Sequence, residues 1–156
     1  FGVFAKTIKT AIESENFPEK NYDISGYQLA PKISYLFSKN TSWDLFYELQ
    51  KKENQIGVSE TLLQNRFGTA FSYAGDKKFI LNGEVSFYQN KFEGNEFSSV
   101  GFQMLEGLQT GQNLTWRLLL QKNITQFLDI NFNYQGRKSE TSQAIHTGNV
   151  QLRAYF

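Results

Sequence analysis

Cysteine is absent from the 156-residue chain, which removes disulfide frameworks, Cys-ligated metals and thiol chemistry together. The compartment stays open, because disulfides are common but not obligatory in oxidising surroundings. An excess of one charge is missing too. The 16 basic and 15 acidic residues leave a formal +1, without the basic footprint that nucleic acid selects. Long apolar runs are missing as well: the longest purely aliphatic stretch is Leu118-Leu119-Leu120, against the roughly 20 residues a membrane helix needs. Proline occurs only at Pro18, expected in a loop, and at Pro31, expected in a strand at an edge or bulge. No linker, low-complexity tract or short-period repeat divides the chain, so one domain over 1–156 is expected. Phe1 follows neither an initiator Met nor a charged-then-apolar leader, so the expectation is a mature chain after signal cleavage or part of a longer one.

Aromatic residues are abundant, at 16%, which argues against a disordered chain. The mean hydropathy of -0.47 would ordinarily suggest a soluble protein. A transmembrane barrel hides from that average, because lipid-facing and lumen-facing residues alternate.

The apolar period is 2 almost throughout. Leu128, Ile130, Phe132 and Tyr134 share one face, with Asp129, Asn131, Asn133, Gln135 and Arg137 on the other. Val150, Leu152, Ala154 and Phe156 repeat this against Gln151 and Arg153. A rotation of 100° per residue would scatter these positions, so helices are excluded there. The expected strands are about 3–12, 24–37, 43–52, 63–74, 79–90, 112–122, 127–138 and 146–156, with patterned parts near the 9–11 residues of a tilted transmembrane strand. The first is the least regular, because Lys6 interrupts the face that Phe4, Ile8 and Ile12 would make. Short connections at Ser38–Ser42, Gly75–Lys78 and Asn123–Gln126 alternate with long ones at 13–23, 53–62, 91–111 and 139–145. Outer-membrane barrels alternate short periplasmic turns with long extracellular loops, which would put both ends of this chain on the periplasmic side.

Alternation alone does not say which face is wet. A lipocalin-like barrel points its apolar face inward and a membrane barrel points it outward. Aromatic residues of the apolar face gather at both strand ends: Tyr35, Phe37, Trp43, Tyr73, Phe79 and Phe156 at one, Tyr27, Phe87, Trp116 and Tyr134 at the other. Two girdles at headgroup level follow from the solvation of amphipathic rings. The opposite face carries Arg66, Glu84, Arg117, Asp129, Arg137 and Arg153, which suits a closed lumen whose groups pair with one another. In an eight-stranded barrel they would fill the interior; in a wider one they would line a channel. The last hairpin is expected to set Asp129 opposite Arg153, Asn131 opposite Gln151 and Ile130 opposite Leu152, with Tyr134 covering Gly148. The hairpin before it is expected to set Phe132 beside Trp116 and Asn131 beside Arg117.

The segment from Asn149 to Phe156 resembles the assembly signal of Gram-negative outer-membrane proteins, with Val150, Leu152, Ala154 and Phe156 at the matching positions. That resemblance implies recognition by the barrel-assembly machinery. The stretch Met104-Leu-Glu-Gly-Leu-Gln-Thr-Gly-Gln-Asn113, with Tyr134-Gln-Gly-Arg-Lys138 and His146-Thr-Gly148, is similar to the tail of large envelope proteins of Bacteroidota. Thr110 stands where that pattern has Pro, and Gln135 where it has Glu. The resemblance spans about the last 55 residues and implies a location, not an activity.

Sites for chemistry are few. His146 is the single histidine, with Ser139 and Ser142 nearby in sequence, as a lipid-modifying enzyme would use; the motifs of such enzymes are missing. No His or carboxylate cluster has metal-ligand spacing, no phosphate-cradling Gly-rich loop occurs, and no cofactor is expected. Glu13, Glu15, Glu19 and Asp23 make an acidic first loop that could bridge lipopolysaccharide through divalent ions or simply be solvated. The 91–111 connection, with Phe92, Phe97, Phe102 and Met104 among acids, is expected to fold over the barrel mouth or dock on a protein partner. The reading is a non-enzymatic outer-membrane barrel, anchor or subunit of an envelope transport or secretion complex, in contact with outer-membrane lipid and lipopolysaccharide. Its alternatives are a passive pore, a lipid-modifying enzyme and a soluble lipocalin-like carrier.

Overall fold

The computed structural model describes residues 1–16, 21–57, 59–76 and 78–155. Eight strands follow one another: β1 (Gly2–Ile12), β2 (Tyr22–Ser38), β3 (Thr41–Asn54), β4 (Thr61–Gly75), β5 (Phe79–Glu93), β6 (Gly111–Thr125), β7 (Leu128–Ser139) and β8 (Ile145–Ala154). A short helix, α1 (Ser99–Leu105), lies between β5 and β6. The strands form one antiparallel up-and-down sheet in the order β1 to β8. Every expected strand is present, and the ladders carry several of them further than the apolar pattern reaches, β5 to Glu93 and β6 to Thr125. Connections at 39–40, 76–78 and 126–127 are short and share one end of the sheet; those at 13–21, 55–60, 94–110 and 140–144 lie at the other. Among the described residues no ladder joins β1 to β8.

The last hairpin has the expected register, with Asp129 opposite Arg153, Asn131 opposite Gln151, Ile130 opposite Leu152 and Tyr134 opposite Gly148. The hairpin before it does not. Phe132 pairs with Leu120 and Asn131 with Gln121, while Trp116 stands opposite Gly136. The expected four-residue turn is a two-residue turn, because β6 continues to Thr125, which pairs with Leu128 around a bulge. The slip is four residues, so every side chain keeps its face. It also brings Trp116 over Gly136: a Cβ there would lie 2.3 Å from the indole ring, so only glycine admits it. A Cβ at Gly148, by contrast, would meet no atom within 4 Å, so Tyr134 does not cover that glycine. The Tyr134 hydroxyl instead meets His146 Nδ1 at 2.8 Å.

Two further expectations are corrected. On β1, Ala5 pairs with Leu29 and Thr7 with Tyr27, which puts Val3, Ala5 and Thr7 on the apolar side of the sheet. Phe4, Lys6 and Ile8 therefore face the polar side, where Lys6 and Ile8 adjoin Gln50 and Lys52, and Lys6 interrupts nothing. Pro31 lies neither at an edge nor at a bulge. It pairs with Val3 on one side, while the ladder to β3 skips from Leu29–Leu49 to Lys32–Phe46 with its register unchanged. The two rungs left out, at Ala30 and Pro31, are how a residue without an N–H is accommodated inside the sheet.

Apolar burial is confined to one end of the polar side. Tyr22 and Ile24 of β2 and Leu62 of β4 pack with Val100, Met104 and Leu105 of α1, and Phe92 adjoins them. The helix forms because Ser98 caps it, its side chain accepting from Gly101 N at 2.9 Å, and because Val100 and Met104 recur one turn apart. It stops where Glu106 and Gly107 adopt left-handed backbone, φ 55° and 74°. Gly101 lets α1 approach the preceding loop, since a Cβ there would lie 2.3 Å from the Asn95 carbonyl oxygen. Leu62 is 0% exposed, so Leu62→Ala is expected to destabilise the fold by about 2–5 kcal/mol in denaturant titrations. Leu152→Ala, at a position 62% exposed, is expected to change the same midpoint little.

Candidate functional site

Cross-strand pairing carries one face through all eight strands. Tyr27, Leu29, Ile33, Tyr35 and Phe37 on β2, Trp43, Leu45 and Tyr47 on β3, and Phe67, Val85, Phe87, Leu114 and Leu118 on β4 to β6 share the outward face and are exposed. Val150 and Leu152 on β8 continue it, each 62% exposed. The inward face holds Gln50, Lys52, Asn54, Gln64, Ser86, Asn90, Asn113 and Ser139, all buried and all polar. Ile130 and Leu152 lie outward, Asn131 and Gln151 inward. This is the reverse of a soluble barrel, in which the apolar face would fill the interior.

The described rings expected in two girdles lie on the outward face. Tyr35 meets Phe37 edge-on at 4.7 Å, Phe37 approaches Trp43 at 6.4 Å, and Tyr73 meets Phe79 at 5.6 Å, all beside the short turns. Trp43 donates from Nε1 to the Thr69 hydroxyl. Towards the other end Trp116 and Tyr134 both contact His146, at 5.4 and 6.0 Å between ring centroids. His146 thus belongs to an outward aromatic cluster that the linear pattern does not reveal. Ser139 faces the opposite side of the sheet, where its hydroxyl donates to Asn113 Oδ1 at 2.6 Å, so His146 and Ser139 form no dyad.

The six charged residues expected inside do not form one network. Arg66, Glu84 and Arg117 converge across β4, β5 and β6. Glu84 accepts from Arg66 Nη2 at 2.7 Å and from Arg117 Nη2 at 3.0 Å, and Glu48 on β3 lies 3.6 Å from Arg66. The Arg66 guanidinium sits between the rings of Phe46, at 4.8 Å, and Tyr88, at 5.3 Å. Gly68 makes room for Phe46, whose ring would stand 2.3 Å from a Cβ there. Arg137 lies nearer the long loops and donates to the Gly107 carbonyl at 2.7 Å. Asp129 and Arg153 adjoin a separate cleft at the short-turn end, and Asp129 accepts from the Tyr155 hydroxyl at 3.2 Å. Glu48, Phe46 and Tyr88 are legible in sequence only as members of a face, because contact across strands needs the register.

The 94–110 connection folds back against the inward face of the sheet. Lys52 Nζ donates to the Met104 carbonyl at 3.1 Å and to Glu106 at 2.6 Å. Asn90 and Asn113 donate to the Gln109 carbonyl at 3.0 and 2.8 Å. With Arg137, these bonds hold the connection to β3, β5, β6 and β7 at once. The four apolar residues named there divide: Met104 is buried and Phe92 adjoins it, while Phe97 and Phe102 are exposed. Two clefts of about 570 and 150 Å³ flank Glu106, the larger lined by Arg66, Arg117 and Arg137 among others.

Of the residues resembling an assembly signal, Val150, Leu152 and Ala154 form the outward row of β8; Phe156 lies outside the described residues, as do Pro18 and Glu19 of the first loop. Among the described residues no group of three His, Asp or Glu side chains could hold a metal ion. The class so defined is an eight-stranded antiparallel meander with its apolar row outward and its polar row inward. No protein family, no curated protein and no solved structure matches the chain.

Glu84→Ala strips the acceptor shared by two guanidinium groups and is expected to cost about 2–3 kcal/mol. Arg117→Ala, with a side chain 61% exposed, is expected to cost less than about 1 kcal/mol. Unfolding followed by tryptophan fluorescence checks the order, and equal costs would remove Glu84 from the centre of the network.

Proposed function

We propose that this chain forms membrane-spanning wall of an outer-membrane β-barrel and serves as a non-enzymatic anchor or subunit of an envelope transport or secretion complex. The single observation that carries the reading is the reversed polarity of the sheet: a row of exposed Leu, Val, Ile, Phe and Tyr outside, and buried Gln, Asn, Ser and Lys inside. Exposed apolar rows of this kind mark contact with a membrane or a partner, and their alternation with a polar inward row matches a wall facing acyl chains. On β2 the outward apolar row from Tyr27 to Phe37 spans about 33 Å along the strand, or about 25 Å of height once tilted, the band such barrels present to lipid. Lys51, Glu53, Lys91 and Glu93 take over the outward face beyond that row, at the long-loop end, as headgroups and water require. In this reading the outward rings are the interfacial girdles, the long loops are extracellular, both ends of the chain are periplasmic, and β8 is read by the assembly machinery.

The packing of α1 across the inward face favours an occluded lumen over a passive pore. Sheet and loop are held together by Lys52 and Arg137, so the doubly substituted Lys52→Ala, Arg137→Ala protein is expected to conduct better in planar bilayers than the unaltered one. Large, steady single-channel currents from the unaltered protein would favour the pore instead.

Val85→Arg and Leu118→Arg put a cation into the outward apolar row, and each is expected to cost up to about 2–4 kcal/mol of assembly in lipid. Asn133→Ala on the inward face is expected to cost far less. Heat-modifiable mobility and protease resistance of the membrane-inserted protein give the readout. Release of the unaltered protein from membranes by alkaline carbonate, without detergent, would refute the proposal.

A further inference from the structure

β1 and β8 differ from the other strands. From β3 to β7 each strand carries buried or half-buried residues along most of its length, and β2 does so from Tyr22 to Pro31 except at Tyr27 and Leu29. On β8 every residue from Ile145 to Ala154 is exposed on both faces, and on β1 every residue except Ile8 is. The outer backbone edges of both strands meet no ladder among the described residues. In hydrocarbon an open edge is not tolerated, because each unpaired N–H or C=O there costs several kcal/mol. These edges therefore have partners in the membrane, or they pair with each other.

The interior argues against their pairing with each other. Eight strands closed on themselves leave room for little more than the wall's own side chains. Here the inward side already holds large side chains from the wall, among them Phe46, Arg66, Tyr88 and Tyr22. It also takes in α1 and the 106–110 segment, and a helix with its side chains is about 10–12 Å across. That segment is bonded to β3 through Lys52 and to β7 through Arg137, so it bridges the concavity rather than sitting beside one strand. The wall must be wider than eight strands.

We infer that the free edges of β1 and β8 are taken by further transmembrane strands of the same polypeptide, so that the eight strands are one arc of a larger barrel. The source follows from topology. Every neighbour in this sheet is a sequence neighbour. In such a meander the strand beside β1 is the one that precedes it along the chain, and the first strand of the series closes on β8. The added strands must be even in number for β8 to meet an antiparallel neighbour, and must alternate in the same sense, apolar outward and polar inward, to continue both faces.

This inference rests on the membrane reading, and its test separates the two. In the protein as made in its own membrane, cysteines are introduced at Ala5 or Thr7 on β1 and at Gly148 or Val150 on β8, all outward positions. Oxidation is expected to give no β1–β8 disulfide for any pair. Spin labels at the same sites are expected to lie several strand spacings apart, beyond about 15 Å. On a denaturing gel both labels are expected in one polypeptide heavier than 18.0 kDa. An intramolecular disulfide would mean a self-closed barrel and would overturn the inference, as would a disulfide between two copies or a labelled polypeptide of 18.0 kDa. Each of those results leaves the protein in the membrane. Failure to remain there after carbonate washing sinks the membrane reading itself.

Discussion

The inter-strand ladder is the constraint on which the rest of the molecule depends. Each interior strand gives its backbone N–H and C=O groups to two neighbours, so the wall needs no apolar core to satisfy its polar main chain. Once the ladder is fixed, side chains have only two directions. Hydrophobic burial, which in a soluble sheet would choose the inside, here finds its apolar row exposed. Under the proposed membrane reading, the stabilisation that a dry core would give comes instead from acyl chains around the wall.

The inward face solves a different problem. Charges withdrawn from water are costly unless paired. Arg66 is met by Glu48 and Glu84 and flanked by two rings, and Glu84 also serves Arg117. Further up, amide side chains bond the 94–110 segment to the wall, with Asn90 and Asn113 sharing the Gln109 carbonyl. The one apolar cluster found inside among the described residues lies beneath α1, where Leu62 and Met104 are fully covered. The inward face is thus held by ion pairs and hydrogen bonds between strands and by a small apolar contact under α1.

Much of this is legible in the residue order, for a physical reason. Period-two alternation is a local property, and it marks the strands, their faces and the alternation of short and long connections. It also fixes the register of the last hairpin, because Asp129, Asn131 and Asn133 oppose Arg153, Gln151 and Asn149 without any slip. The preceding hairpin departs from its expected register because its turn lacks glycine and asparagine at the tip, so nothing in sequence marks Gln126 and Phe127 as the turn. On β1 the large apolar residues Phe4, Ile8 and Ile12 share one face, and only the pairing with β2 shows that this face lies on the polar side. α1 escapes a periodicity reading although Val100, Met104 and the Gly107 cap mark it, since seven residues give barely two turns of period.

Sequence alone therefore determined what each strand offers to its two sides, because the side chain's direction follows from its neighbours along the chain. Which side is covered, which charges meet and what crosses the interior belong to tertiary structure. Glu84 reaches both Arg66 and Arg117 only because β5 lies between β4 and β6 in one register, and Lys52 finds Glu106 only because the 94–110 segment turns inward. Those contacts join residues far apart in the chain, and no local period encodes them.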